Sequence, residues 1–336
     1  MDTQDPESPL PGETAAAAPP APAPPFDSPP APAPPFEKSG LLFFAALLFL
    51  FFPGLVAQWL DRTFGLAWSE VFVFLVPSLM AASGSNLDPL RYLGLARPRA
   101  RELALGALVG GAGFLVANGV MALWARILPR SWLELFDLSQ IFDAPLAVQV
   151  AIALVASLVA PLCEEVAFRG YLQRTLAIKH GPAVAVPAAA LLFGLLHLDP
   201  VRFPALVLLG VLFGWLAWRS GSIWPAIAAH ATNNGLASAL ALWAGAPNTQ
   251  ADASTPSDIL RALAVGGVAL ALLLRAFRRA TPAPPEPSEG LARRDVRDPS
   301  LRFRPWLVPR SLVATAAIGL ALLAALGVLR LVSSPA

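Results

Sequence analysis

The chain carries very little charge. Only 14% of its 336 residues are Asp, Glu, Lys or Arg, whereas 56% are hydrophobic. A soluble domain of this size has about a quarter charged residues, so the low fraction excludes an ordinary water-soluble protein. The mean hydropathy of +0.61 agrees, and lipid is the solvent that this composition predicts.

Cysteine is nearly absent. Cys163 is the single cysteine, so no intrachain disulfide can form, and no CxxC metal pair exists. Serine-triad chemistry lacks support as well, because no serine lies in a GxSxG elbow. Cys163 directly precedes two glutamates, and we expect either an ordinary small buried residue or a nucleophile at this position.

Long apolar stretches, by contrast, are abundant. Each has roughly 17 to 25 mostly apolar residues, the length that crosses about 30 Å of hydrocarbon. The apolar residues are continuous rather than alternating, which favours helices. The sequence predicts an all-α, polytopic transmembrane bundle of about eight to nine spans, preceded by a disordered Pro-rich tail. The candidate spans lie near 41–60, 66–82, 103–125, 146–163, 183–198, 203–218, 222–244, 258–276 and 311–332.

The N-terminal segment has a different composition. Residues 1–40 are rich in Pro and Ala, and the octapeptide PPAPAPPF occurs at 19–26 and again at 29–36. Proline at this density favours extended polyproline II, so we expect a disordered cytosolic tail. A docking ligand for a proline-reading partner is the alternative. The rest divides into N-terminal helices at 41–144, a core at 145–245 and C-terminal helices at 246–336, with a basic Pro-rich linker at 277–310.

Lysine and arginine are distributed unevenly among the loops. With the N-terminus in the cytosol, eighteen of the 24 Lys and Arg residues fall in inner segments and six in outer ones. Positive residues favour the cytosolic side. We therefore expect a multi-pass protein of the inner (cytoplasmic) membrane with a cytosolic N-terminus and an outer C-terminus. The net charge of +2 then reflects topology, and nucleic acid is not an expected partner.

Two adjacent glutamates and an arginine interrupt the apolar run in APLCEEVAFRGYLQ (160–173). Ionisable residues inside spans are costly and indicate function by default; the alternative is that both glutamates snorkel to the inner interface. If the fourth helix continues through them, Glu165 and Arg169 share a face in the favourable i, i+4 order. Glu164 points about 100° away and is left unmatched, which favours a general base toward water.

The histidines form the second unusual set. Only three occur, and His197 and His230 lie within apolar spans, whereas His180 in the KHGP turn is expected at the surface. Phe193 lies one turn before His197, and Asn234 lies one turn after His230, so each pair shares a helix face. We expect Phe193 to pack over an imidazole or a substrate, or to belong to the plain core.

Two chemistries suit this set of residues. Glu164 with His197 can activate water without a cofactor, and His230 with Asn234 can donate hydrogen bonds to a developing oxyanion. Alternatively, Glu164, His197 and His230 hold a zinc ion with an open position for water. Both lead to hydrolysis of a peptide bond within the membrane. A transporter that uses the carboxylates and histidines as a proton relay is the alternative from another class.

Three motifs resemble those of a known family. EEVAFR (164–169), FGLLH (193–197) and HATNN (230–234) resemble the EExxxR, FxxxH and HxxxN motifs of the CPBP family of CAAX-protease and bacteriocin-processing intramembrane proteases. The resemblance covers roughly 145–245. It implies a bacterial intramembrane endopeptidase whose substrate is a membrane-associated or C-terminal-tailed protein. The family also includes presumed immunity proteins, so a non-catalytic binding protein stays an alternative.

The resemblance also implies residue roles. It assigns catalysis to Glu164, His197, His230 and Asn234, and support of these residues to Glu165, Arg169 and Phe193. A geometric condition accompanies these roles, because His197 lies about 22 Å into the fifth helix at 1.5 Å per residue. Glu164 reaches the same depth only if the fourth helix continues past Leu172.

Overall fold

The structure is a computed structural model that describes residues 53–83, 89–95, 98–137, 144–244, 255–282 and Pro284. It is 86% helical, and the described residues include no strand, which confirms the all-α class. Ten helices, numbered α1 to α10 in chain order, are Leu55–Leu60, Arg62–Ala82, Pro89–Tyr92, Ala100–Ala125, Arg130–Leu135, Leu146–Ile178, Pro182–Leu196, Phe203–Ser220, Trp224–Ala244 and Pro256–Ala280.

Five of these helices are long and apolar enough to cross a membrane: α2, α4, α6, α8 and α10. The multi-pass membrane class is therefore confirmed. The predicted number of eight to nine spans is not confirmed. The apolar helix α7 is shorter, and α9 is not among the five candidates. Most of the predicted span 41–60, the whole of 311–332 and the Pro-rich tail lie outside the described residues.

Helix α6 continues well past the first carboxylates. It runs from Leu146 to Ile178 and contains two π-helical turns, Val155–Val159 and Val166–Gln173. Glu164 thus lies about 21 Å from the Ile178 end, and His197 lies about 22 Å from the start of α7 at 1.5 Å per residue. Glu164 and His197 therefore lie at similar distances from the α6–α7 connection, because α6 continues past Leu172.

This extension also corrects the expected position of one arginine. The predicted span 146–163 ends before Glu164, so Arg169 is expected in the inner segment that follows this span. The structure instead places Arg169 in the interior of α6 with 1% of its surface exposed. Its charge is part of the buried core and does not contribute to the asymmetry between the loops.

Glycines bring the helices that surround α6 close together, as their small-xxx-small spacing predicts. A Cβ at Gly106 of α4 would lie 2.5 Å from the Pro225 carbonyl oxygen, and one at Gly110 would collide with the Ala229 carbonyl. On α8, a Cβ at Gly210 would lie 2.9 Å from the Ala190 Cβ. Such close contacts are the usual role of small residues between membrane helices. The contact at Gly110 fixes α9 one residue before His230.

Polar contacts join the ends of the helices into two separate groups. At one end, Arg174 donates to the carbonyls of Arg91 and Gly221, and Arg219 donates to the carbonyl of Thr281. At the other end, Trp124 donates to the Pro200 carbonyl and Arg202 donates to the Phe136 carbonyl. The first group joins segments expected on the inner side, and the second joins segments expected on the outer side.

Candidate active site

The middle of α6 carries a buried ion pair. The Arg169 Nη1 atom donates to Oε1 of Glu165 at 2.7 Å, and both side chains are fully buried. The Nη2 atom of Arg169 donates to the Gly210 carbonyl at 3.1 Å, which is accessible because Gly210 lets α8 approach closely. The expected pairing of Glu165 with Arg169 is therefore present, and it also fastens α6 to α8.

Three aromatic rings surround the guanidinium. The Arg169 Cζ atom lies 4.5 Å from the centroid of Phe193, 5.6 Å from that of Phe213 and 5.9 Å from that of Phe168. A cation over aromatic rings is stabilised by about 1–2 kcal/mol when it is desolvated. Phe193 therefore packs against a charged group as well as against the core.

His230 connects the two glutamates. Its Nδ1 lies 2.9 Å from Oε1 of Glu165, and its Nε2 lies 3.7 Å from Oε2 of Glu164. Because Glu165 Oε1 already accepts from Arg169, the Nδ1 nitrogen is the donor of this hydrogen bond. In the neutral ring Nε2 is then the acceptor nitrogen, and it faces Glu164.

The His230 ring is also held on its faces. It stacks on Phe213 with centroids 4.8 Å apart and an interplanar angle of 23°, and it meets the Phe193 ring at 5.8 Å with an angle of 82°. The hydrogen bond to Glu165 and the contacts with these two rings together hold the imidazole in one orientation. The sequence indicated the Glu165–Arg169 pair but gave no sign that the same carboxylate oxygen also binds His230.

His197 lies at the exposed edge of the same cluster. Its Nδ1 contacts the Phe193 carbonyl at 2.8 Å, so this nitrogen donates and Nε2 is left as the acceptor in the neutral ring. The rings of Phe193 and His197 are 4.7 Å apart. His197 is exposed whereas Glu164 and His230 are buried, so the cluster is open toward His197.

The loop that follows His197 is strained and tightly bonded. Leu198 has a φ of 52°, the one positive φ at a non-glycine residue in the described part of the chain, and such backbone strain occurs often at functional sites. Asp199 Oδ1 accepts from the backbone N–H groups of Val201 and Arg202, both at 2.9 Å. Its Oδ2 lies 2.6 Å from Arg202 Nη2. These contacts hold the end of α7, and with it His197, in place.

Asn234 is close to the cluster but makes other contacts. Its Nδ2 donates to the Ala156 carbonyl at 2.9 Å, and its Oδ1 accepts from Asn233 at 3.1 Å. Ala156 lies in the π-helical turn Val155–Val159, and π-helical turns occur frequently at functional sites. One hydrogen on Asn234 Nδ2 is engaged in this contact, and the second one is left for a ligand.

Among the polar side chains of the described cluster, the structure places His230 rather than His197 next to Glu164. Within the described ranges, no group of three His, Cys, Asp or Glu side chains is arranged to hold a metal ion. The zinc alternative with Glu164, His197 and His230 as ligands stays a prediction.

Glu70 is a further buried carboxylate that packs near α6, and it belongs to none of the three sequence motifs. It lies in the π-helical turn Glu70–Leu75 of α2 with 6% of its surface exposed, and its Oε2 has no hydrogen-bond partner. The turn that carries Glu70 packs on α6, because its Val73 and Phe74 share an apolar cluster with Cys163 and Phe168. The sequence feature that indicates a buried carboxylate here is the position of an acidic residue within the predicted span 66–82.

The family comparison covers this cluster almost completely. Residues 146–236 match the family described as Rce1-like, type II CAAX prenyl endopeptidase. The chain contains a CAAX-type intramembrane endopeptidase domain. The matched segment extends from the first residue of α6 into α9 and includes all seven residues that the three motifs singled out, whereas Glu70 precedes it. No curated protein and no solved structure matches the chain.

This match agrees with the motif resemblance and supports a membrane peptidase whose substrate is a protein or peptide. Cys163 lies in the apolar cluster with Val73 and Phe74, with 1% of its surface exposed. This environment favours an ordinary buried residue over a nucleophile.

Proposed function

We propose that the protein hydrolyses a peptide bond of a membrane-associated protein with a C-terminal tail, using water activated by Glu164. The observation that carries this proposal is that two adjacent carboxylates differ in their hydrogen-bond partners. Glu165 Oε1 accepts from Arg169 and from His230, although its Oε2 is also buried without a partner, whereas no described residue donates a hydrogen bond to Glu164. A carboxylate without a fixed partner can accept a proton from water.

The proton then has a path to the leaving group. Glu164 takes a proton as the water oxygen attacks the substrate carbonyl, and Nε2 of His230, 3.7 Å from Glu164 Oε2, is the next acceptor. Transfer from His230 to the amide nitrogen breaks the C–N bond and releases an acid and an amine. Glu165 orients the imidazole through Nδ1, as the aspartate does in a Ser-His-Asp triad.

Two further residues complete the proposed chemistry. The second hydrogen on Asn234 Nδ2 can donate to the oxyanion of the tetrahedral intermediate. The acceptor nitrogen Nε2 of His197 can orient the attacking water from the exposed side of the cluster. No metal or other cofactor is required by this scheme, and a zinc ion would need Glu164, His197 and His230 to rearrange.

The surface next to His197 supports a substrate held in the membrane. Leu195 and Leu198 flank the exposed histidine, with 53% and 48% of their surfaces exposed. A substrate that reaches the cluster at this edge therefore meets apolar side chains, which suits a lipid-anchored or hydrophobic tail. The name of the matched family specifies prenylated CAAX proteins, and we extend that substrate class to this chain.

The orientation in the membrane is part of the proposal. The contacts of Arg91, Arg174 and Arg219 place three basic residues at the same end of the bundle. The positive-inside tendency places this end in the cytosol. The N-terminus is then cytosolic, and the bilayer is the inner membrane of a bacterial cell.

The test compares the C-termini of membrane proteins in cells that produce the wild-type chain with those in cells that produce Glu164→Gln at equal membrane levels. We expect the variant to lose substrate processing by about 10²–10⁴-fold, the usual contribution of a general base. Glu134→Gln is the matched control, because Glu134 is 69% exposed on α5. Unchanged processing by Glu164→Gln would contradict the proposal. Loss of wild-type activity on chelation would favour the zinc alternative.

A further inference from the structure

Asn233 is a buried amide on α9 that the proposed chemistry does not use. It lies three residues after His230, and Asn234 lies four residues after it, so both side chains are on the side of α9 that carries His230. Asn233 has 9% of its surface exposed, whereas Asn234 is partly exposed. Asn234 is therefore the more accessible of two neighbouring amides.

The contact with α6 determines how the Asn234 amide is oriented. A backbone carbonyl only accepts hydrogen bonds, so the group that lies 2.9 Å from the Ala156 carbonyl is Nδ2 of Asn234. The Oδ1 atom is then on the other branch of this amide, 3.1 Å from Nδ2 of Asn233. Because an oxygen acceptor requires a donor, Asn233 presents its NH2 group to Asn234.

This orientation leaves the other branch of the Asn233 amide unpaired. Its Oδ1 atom is buried and has no hydrogen-bond partner among the described residues. An unpaired buried acceptor is costly, so an atom in this condition requires an explanation. Rotation of the Asn233 amide by half a turn would place its oxygen against the oxygen of Asn234. The orientation that serves Asn234 is thus the one that leaves Oδ1 of Asn233 unpaired.

Two contacts hold the plane of the Asn234 amide, whereas one contact would not. The torsion about the Cβ–Cγ bond of asparagine is broad, so a single hydrogen bond to Ala156 would leave the amide free to rotate about that contact. The second contact, from Asn233, fixes the plane and with it the direction of the second N–H of Asn234. A donor stabilises an oxyanion best when it is directed in advance at the place where the charge develops.

We propose that Asn233 is a positioning residue that holds the Asn234 amide with its second N–H directed at the oxyanion of the tetrahedral intermediate. This inference rests on the proposed function and concerns a residue to which the three motifs give no role. Asn233 does not touch the substrate in this role, and no bond to it changes during hydrolysis. Its contribution to the rate therefore depends on Asn234.

A double-mutant cycle tests this dependence, with a prenylated CAAX peptide as the substrate. Asn234→Leu should lower kcat by about 10²–10³-fold, as the removal of one oxyanion donor does. Asn233→Leu should lower kcat by about tenfold, within the range of coupling between residues in contact. KM should change little, because the interaction is made in the transition state. In the Asn234→Leu background, Asn233→Leu should change kcat by less than about twofold.

Ser238→Ala is the matched control for a general weakening of the contact between α9 and α6. Ser238 is also buried on α9, and Ser157 of the same π-helical turn donates to its hydroxyl at 3.3 Å. This variant should keep kcat within about twofold of the wild type, because its contact does not involve Asn234. Equal losses from Asn233→Leu in the wild-type and Asn234→Leu backgrounds would overturn the proposal, since residues that act independently have additive effects.

The Asn234 amide can also be observed without a substrate. ¹⁵N relaxation of the full-length protein in detergent, labelled at asparagine alone, reports how rigid each side-chain NH2 group is on the picosecond-to-nanosecond timescale. The Asn234 group should be rigid in the wild type and in Ser238→Ala, and it should be mobile in Asn233→Leu. An equally rigid group in Asn233→Leu would overturn the proposal.

The relaxation measurement separates this inference from the proposed function. If the wild-type protein fails to cleave any peptide, the proposed function is contradicted, while the rigidity of the Asn234 group still decides whether Asn233 orients it. If Asn233→Leu does not fold, Asn233→Ala replaces it in both measurements, with the same expected results.

Discussion

The buried charged residues on α6 and its neighbours around Glu164 form two groups with different contacts, which we call two halves. In one half, which we call the compensated half, Glu165, Arg169 and His230 are joined by contacts of 2.7 and 2.9 Å. In the other half, the uncompensated half, Glu164 and Glu70 have no hydrogen-bond donor among the described residues, whereas Glu165 lacks a donor at Oε2 alone. The two halves differ although Glu164 and Glu165 are neighbours in the chain.

The difference shows that buried charges in a membrane protein can serve either stability or catalysis. A buried ion pair with good geometry fixes the positions of its elements, and here Arg169 connects α6 with α8 through Gly210. A buried charge without a partner is destabilising, so its persistence indicates function. The compensated half thus connects the helices and orients His230, and the uncompensated half contains Glu164, to which we assign the proton transfer in the proposed function.

The largest expected effect comes from the removal of the guanidinium. Arg169→Leu leaves the carboxylate of Glu165 buried without its cation, which should lower the free energy of unfolding by about 3–5 kcal/mol. Thermal unfolding of the detergent-solubilised protein measures this effect. The double variant Arg169→Leu with Glu165→Gln removes both charges and should recover much of the loss. If the double variant is as unstable as the single one, the ion pair is not the source of the stability.

A second effect concerns catalysis rather than stability. His230→Gln keeps a polar side chain of similar length but cannot relay a proton between Glu164 and the leaving nitrogen. The cleavage rate should fall by about 10²–10³-fold, which is comparable with the removal of one stabilising group from an active site. Cleavage of a prenylated CAAX peptide measures the change. His180→Gln is the matched control, because His180 is exposed two residues after the end of α6, and it should keep wild-type activity.

The smallest effect comes from the helix contact that positions His230. Gly110→Ala places a Cβ against the Ala229 carbonyl, so α9 must shift and stability should fall by about 1–3 kcal/mol. The matched control is Gly111→Ala on the same helix, whose Cβ would have its nearest neighbour at 3.9 Å. We expect Gly111→Ala to be neutral or slightly stabilising. Equal unfolding temperatures for the two variants would show that the close approach of α4 and α9 is unimportant.

Much of the compensated half could be predicted from the sequence. The i, i+4 spacing of Glu165 and Arg169 predicts their pair because it depends on the geometry of one helix. The i, i+4 spacing of Phe193 and His197 predicts their contact for the same reason. The length of the apolar runs predicts the helical membrane class. The four-residue spacing of Gly106 and Gly110 predicts a close helix contact, but it does not show which helix makes this contact.

The remaining features depend on contacts between distant segments. The bond between His230 and Glu165 joins α9 to α6, and no local spacing reveals which carboxylate a histidine will meet. Glu70 is a single acidic residue in an apolar run, and only the packing of α2 on α6 shows that its turn lies against the helix that carries Glu164. The full length of α6 was also not apparent, because its polar second half interrupts the apolar pattern on which the predicted boundary near 163 was based.

The comparison between the two halves is tested most directly by measuring cleavage and thermal unfolding together for Glu164→Gln and Glu165→Gln. Glu164→Gln should lose cleavage while its unfolding temperature stays at or above that of the wild type, because a costly buried carboxylate is removed. Glu165→Gln should lower both, since Arg169 and His230 lose the negative charge that holds them. A Glu164→Gln protein that cleaves its substrate at the wild-type rate would contradict the account.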